Sequence, residues 1–161
     1  MKKIILFLLL IFAFNLKAQA DTFEYAYNKS GFKYVKHAHY EDSYVQAWCS
    51  ANGGKAEVEN PDGTRVDCVT KTHAIEFDFA NTWAEGIGQA LHYGAQTGKR
   101  PMVMLIIEKP QQMIYFERVK KDGEIYGFDA EYVTPEILNL KDDECENPNC
   151  KCHKKKKNYK N

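Results

Sequence analysis

The chain has 161 residues, 22 Lys and Arg against 22 Asp and Glu, and 44% hydrophobic residues, enough for one domain with a modest core. The charge is uneven: residues 21–140 carry 12 basic and 18 acidic side chains, whereas residues 141–161 carry 7 and 4. An acidic domain lacks the broad positive surface that phosphate backbones reward, which counts against tight nucleic-acid binding.

Lys2 and Lys3 make a basic start, Ile4 to Phe14 is apolar throughout, and Asn15-Leu16-Lys17 leads to Ala18-Gln19-Ala20. That order is a secretory signal cleaved after Ala20. An apolar run of about 11 residues is short for a membrane-spanning helix, which needs about 20. No Cys follows the cleavage position and no second apolar stretch reads as a span. The expected mature chain therefore starts at Asp21 and is periplasmic or secreted.

Residues 21–36 show no clean period and read as an irregular lead-in. From Tyr40 to Ala51 the spacing is helical, with Glu41, Val45, Trp48 and Cys49 on one face and Gly53-Gly54 as the stop. Lys55 to Glu59 reads as extended, Asn60-Pro61-Asp62-Gly63 as a turn, and Thr64 to Thr70 and His73 to Ala80 as strands joined at Lys71-Thr72. Asn81 or Thr82 is expected to cap a helix that carries Trp83, Ile87, Ala90, Leu91 and Gly94 inward and closes at Gly98. Met102 to Ile107 reads as a buried strand, and Pro110 to Lys121 as an amphipathic helix with Ile114, Phe116 and Val119 apolar. A last strand spans Phe128 to Val133, and Pro135 starts a short segment to Leu140. From Lys141 the composition is that of a flexible tail. There is no internal repeat. The order helix, three strands, helix, strand, helix, strand predicts an α/β fold with a mixed sheet flanked by helices.

If Lys71-Thr72 is the tip of a tight hairpin, residues whose numbers sum to 143 face each other. Asp67 then opposes Glu76, Arg65 opposes Asp78 and Val69 opposes Ala74 on one face, with Val66, Cys68, Ile75, Phe77 and Phe79 on the core face. Directly opposed carboxylates have Cβ atoms about 5 Å apart and repel. A hard cation such as Mg²⁺ or Mn²⁺ would offset that; solvation, or pairing with Arg65 and a nearby Lys, would do so too.

Five cysteines leave at least one without an intrachain partner. Cys49 and Cys68 both point inward, and a disulfide between them is expected, buried free thiols being the alternative. Cys145, Cys150, Cys152 and His153 offer ligands suited to Zn²⁺ or Cu⁺, or an oxidised or interchain cluster. Lys154 to Lys157 read as a solvated run that could also attract an anionic surface.

The stretches Gly63-Thr64-Arg65-Val66-Asp67, Ala74-Ile75-Glu76-Phe77-Asp78 and Gln89-Ala90-Leu91-His92-Tyr93 resemble the PD-(D/E)XK nuclease superfamily. The likeness is to its branch related to bacterial recombination exonucleases, with a Gln-x-x-x-Tyr motif. The resemblance spans Glu41 to Val133 and implies a restriction-endonuclease-like core. It implies Asp67 and Glu76 as metal ligands, Glu41 completing the shell, and Gln89 and Tyr93, one helical turn apart, lining the site. The sequence departs from the motif at Asp78, where the family carries Lys, and the helix opening Asn81-Thr82-Trp83 supplies no Lys in its place. Two functions follow as expectations: a Mg²⁺-dependent phosphodiesterase acting on nucleic acid outside the cytoplasm, or an inactive relative serving as an envelope binding or structural protein.

Overall fold

The computed structural model describes residues 22–140. The expected signal segment, residues 1–20, and the Cys/Lys-rich tail lie outside the described residues. In chain order the elements are Tyr25–Tyr27 (β1), Lys33–Val35 (β2), Glu41–Ala51 (α1), Lys55–Glu59 (β3), Arg65–Val69 (β4) and His73–Phe79 (β5). Trp83–Thr97 (α2), Arg100–Ile106 (β6), a 3-10 turn at Pro110–Gln112, Met113–Tyr126 (α3) and Asp129–Val133 (β7) follow. From α1 onward this is the order that periodicity predicts.

The main sheet has five strands in the order β3-β4-β5-β6-β7. β3, β4 and β5 form an antiparallel meander, and β6 and β7 join in parallel. Strands buried on both faces read as continuous apolar runs, and Met102 to Ile107 is buried without interruption.

Helices cover both faces. On one side Tyr44, Val45, Ala47 and Cys49 of α1 pack on Cys68, Ile75, Phe77, Met102, Met104 and Ile106. On the other, Ala90 of α2 and Val119 of α3 pack on Val103 and Leu105, with Trp83 and Phe116 flanking. The result is a mixed α/β three-layer arrangement. Among the described residues no helix is long and apolar enough to cross a membrane.

Cys49 and Cys68 are bridged, with an S–S distance of 2.06 Å and Cα atoms 5.8 Å apart, so α1 is tied covalently to β4. Gly54 makes room for the bridge: a Cβ there would lie 2.5 Å from Cys68 Sγ and 2.7 Å from Cys49 Sγ.

Three expectations about the elements need correction. The lead-in is not wholly irregular, because β1 and β2 form an antiparallel hairpin. Its turn is set by Asn28, whose Oδ1 accepts the N–H groups of Ser30 and Phe32 at 3.0 Å each, and by Gly31 at φ 80°. α3 continues to Tyr126, beyond Lys121. Its Gly123 lets the helix pass the start of β7, where a Cβ would fall 2.6 Å from the Phe128 carbonyl oxygen. Leu91, expected to point inward, is 37% exposed, since the apolar stripe of α2 is narrower than its apolar content.

Candidate acidic cleft

The hairpin register is the expected one. Cys68 faces Ile75 and Val69 faces Ala74, and the Thr70 N–H donates to the His73 carbonyl at 2.9 Å. The paired ladder stops at Cys68 and Ile75. Beyond it the Asp67 carboxylate accepts the Phe77 N–H at 2.8 Å and shares a hydrogen bond with Glu76.

The other side of β4 is distorted as well. Pairing with β3 skips Glu57, whose φ of 59° lies in the left-handed region. Strict alternation therefore fails around Asp67. Val66 packs with Ala74, Tyr93 and Val69, not on the Cys68 face as alternation predicts. Arg65 pairs with Glu57 at 2.8 Å, not with Asp78.

Asp78 has other partners. Its Oδ1 accepts the Phe79 N–H at 2.8 Å and the Thr82 hydroxyl, and the carboxylate also takes the Gly86 N–H. Sequence assigns the cap of α2 to Asn81 or Thr82, yet Thr82 makes no side-chain capping bond. Asp78 satisfies the donors at the start of α2 in its place. Gly86 permits that approach, since a Cβ there would stand 3.0 Å from Asp78 Cβ.

The parting strands, α1 and the start of α2 enclose an open cleft of about 360 Å³ lined by Glu41, Glu76, Asp78, Asn81, Glu85 and Gln89, together with His37, Phe79 and Thr82. Among the described residues no Lys or Arg lines it. Asp67 sits behind Glu76 through their shared bond. Tyr93 is 6% exposed and hydrogen-bonded to Gln89. The predicted residues Glu41, Glu76, Asp78 and Gln89 thus meet in one cleft, with Asp67 and Tyr93 supporting it from behind.

Crowding of acids sets the electrostatics. Burial first, and then the charges of Asp67 and Asp78, push the Glu41 carboxyl up to about 8. Burial also raises Glu76 strongly, reinforced by the Asp67 charge and by the hydrogen bond between them. Asp67 is raised less, because the Phe77 N–H and the bond from Glu76 favour its charged form. Both carboxyls are thus held above the ordinary range, the usual outcome when two of them share a buried site. Burial raises Asp78 as well, against its three hydrogen bonds. Tyr93 is raised by burial and then by the Glu76 charge.

Two buried oxygens in the cleft wall, Glu76 Oε2 and Asn81 Oδ1, have no hydrogen-bond partner among the described residues. Buried acceptors are normally satisfied, so each calls for an explanation. An all-oxygen donor set beside surplus negative charge suits a hard divalent cation. Among the described residues, however, no three His, Cys, Asp or Glu side chains are already spaced as a finished metal site.

Sequence reasoning missed His37 and Glu108. His37 Nδ1 lies 2.7 Å from Glu108 Oε2, and the imidazole stacks on Phe79 with ring centroids 3.5 Å apart. The two residues are 71 positions apart, and neither lies in a motif.

No protein-family model matches the chain, and no curated protein and no solved structure matches it.

Proposed function

We propose that this chain is a divalent-cation-dependent phosphodiesterase acting on nucleic acid outside the cytoplasm, built on a restriction-endonuclease-like core of the PD-(D/E)XK kind. The observation that carries the reading is Glu76: 5% exposed, with Oε2 unpartnered among the described residues, in a cleft shared with Glu41 and Asp78. Asp67, Glu76 and Glu41 would hold Mg²⁺ or Mn²⁺, and such a cation supplies polarisation of the phosphate and a lower pKa for bound water.

The chain's own residues do the rest. Asp67 holds Glu76 in place through their hydrogen bond, and its own carboxylate is anchored on the Phe77 N–H. Tyr93 fixes the Gln89 amide at the cleft wall, where it can donate to a substrate oxygen. Asp78 keeps the start of α2 beside the cleft through Thr82. The apolar leader at Ile4 to Phe14 and the Cys49–Cys68 bridge support export.

The test is cleavage of single- and double-stranded DNA and RNA with and without Mg²⁺ or Mn²⁺, by the wild type and Glu76→Ala. The expected result is cleavage that needs the cation and is lost in the variant. No cleavage of any of the four substrates with either cation would overturn the reading. One observation favours a second reading, an inactive relative serving as an envelope binding or structural protein: the residue at the motif's Lys position, Asp78, is committed to α2. That reading expects cation binding without cleavage.

A further inference from the structure

We infer that His37 is the proton acceptor of the acidic cleft, with Glu108 as its positioning residue; this rests on the phosphodiesterase reading. The other titratable groups lining the cleft are the carboxyls of Glu41, Glu76, Asp78 and Glu85. Among the described residues lining the cleft, His37 is the one nitrogen base. It precedes α1 and also borders two adjoining cavities, of about 510 Å³ towards Tyr34 and Tyr40 and about 390 Å³ towards Phe23 and Lys109. A single imidazole therefore stands where three open spaces meet.

The ring is held in one orientation by contacts from separate elements. Phe79, at the end of β5, stacks on it with an interplanar angle of 17°. Glu108 Oε2 lies 2.7 Å from Nδ1, while Oε1 accepts the Ala38 N–H at 2.9 Å and the Tyr44 hydroxyl at 3.3 Å. A carboxylate so placed can only accept at Nδ1, so the neutral ring carries its proton there and presents the Nε2 lone pair. Among the described residues Nε2 has no hydrogen-bond partner, and the side chain is 20% exposed. A carboxylate that orients a cleft-lining imidazole and leaves its second nitrogen unbonded is the arrangement general-base catalysis needs. The charged groups around the ring are Glu108 from the segment after β6, Glu41 from α1, Glu76 and Asp78 from β5, and Glu85 from α2. Lys36, paired with Glu24 at 2.8 Å, and Lys109 line the adjoining cavity that also holds His37 and Glu108.

The step balances as hydrolysis. A water oxygen forms a bond to phosphorus as its proton passes to His37 Nε2. The P–O bond to the leaving sugar oxygen breaks, its electron pair departing with that oxygen, which takes a proton from solvent. His37 then returns its proton to solvent. One water and one phosphodiester become a phosphomonoester and an alcohol.

Two measurements on the full chain separate this role from the reading it rests on. Long-range ¹H–¹⁵N spectra of the wild type are expected to give His37 as the Nδ1–H tautomer. Added Mn²⁺ should broaden His37 before His39, His73 and His92. In cleavage assays His37→Ala is expected to lower kcat about 100-fold or more with KM little changed, and imidazole in the buffer to restore part of the loss. His37→Gln, which keeps the volume, should be equally slow. Glu108→Gln should lower kcat and mix the tautomers of His37. An Nε2–H tautomer, Mn²⁺ broadening that spares His37, or wild-type cleavage by both His37 variants overturns the role while leaving the phosphodiesterase reading intact. A wild type that cleaves nothing, yet shows the expected tautomer and broadening, overturns that reading and the catalytic role together.

Discussion

The Asp67 carboxylate takes the Phe77 N–H at 2.8 Å, a donor that the hairpin register would otherwise give to the main-chain carbonyl of Val66. One side chain thus ends a ladder and turns a strand pair into a cleft wall.

That dual role makes Asp67→Asn a sharp probe of cation binding. The amide oxygen can still accept the Phe77 N–H, but the charge shared with Glu76 is gone. Titration calorimetry with Mn²⁺ is expected to show one site in the wild type and most of the binding lost in the variant. In thermal melts, a cation at about 100 times its Kd adds about 2.7 kcal/mol to the wild type, and Asp67→Asn should show little of that gain. Equal binding by the two proteins would dissolve the shared site.

Stability should fall as the solution becomes alkaline. Glu41 is raised from its ordinary 4.5 to about 8, first by burial and then by the charges of Asp67 and Asp78. The folded chain therefore keeps a proton that the unfolded chain releases. Linkage makes this contribution complete below about 4.5 and lost as pH rises through about 8. Melting temperatures in EDTA are expected to decline across that window. Glu41→Gln should flatten the decline and melt higher than the wild type at pH 8. A melting temperature that climbs from pH 5 to pH 8 would contradict the assignment.

The bridge and the glycine beneath it should behave as one unit. Closing 19 residues of chain stabilises by about 3 kcal/mol in the loop-entropy account, so Cys49→Ala with Cys68→Ala should cost about that much. Gly54→Ala in the bridged protein should cost about 1–3 kcal/mol from overpacking. In the bridge-free double variant the same change should cost clearly less. Denaturant unfolding of the four proteins forms the cycle, and additive costs would show that Gly54 does not answer to the bridge.

Asp78→Ala removes acceptors for the Thr82 hydroxyl and for the Phe79 and Gly86 N–H groups. A loss of about 1–2 kcal/mol is expected, as for a helix cap, with the earliest hydrogen exchange at the start of α2. An unchanged unfolding midpoint would mean that α2 needs no anchor.

Much of this was legible in the chain. Alternation placed Cys68 and Ile75 in register because a tight turn at Lys71-Thr72 leaves little freedom in pairing. Helical spacing put Glu41 and Cys49 on the same side of α1, which led to both the cleft and the bridge. What escaped was set by contacts that no local pattern encodes. Glu57 in the left-handed region broke the period that would have put Arg65 opposite Asp78 and Val66 on the α1 side. The β1–β2 hairpin has strands of three residues each, too short for alternation to register, although Asn28 and Gly31 marked its turn. The His37–Glu108 pair joins segments that approach only once the sheet has formed.

Cys68 follows Asp67 directly, and Cys49 lies two helical turns beyond Glu41 on the same helix. The Cys49–Cys68 bond therefore ties together two elements, in adjacent layers of the protein, that bring acids to the cleft. In a reducing medium the strands and helices keep their hydrogen bonds, but nothing covalent fixes the spacing of Glu41 from Asp67. Thiol chemistry in the surroundings thus reaches the carboxylates without touching them, and assembly of the cleft becomes sensitive to the compartment in which the chain folds.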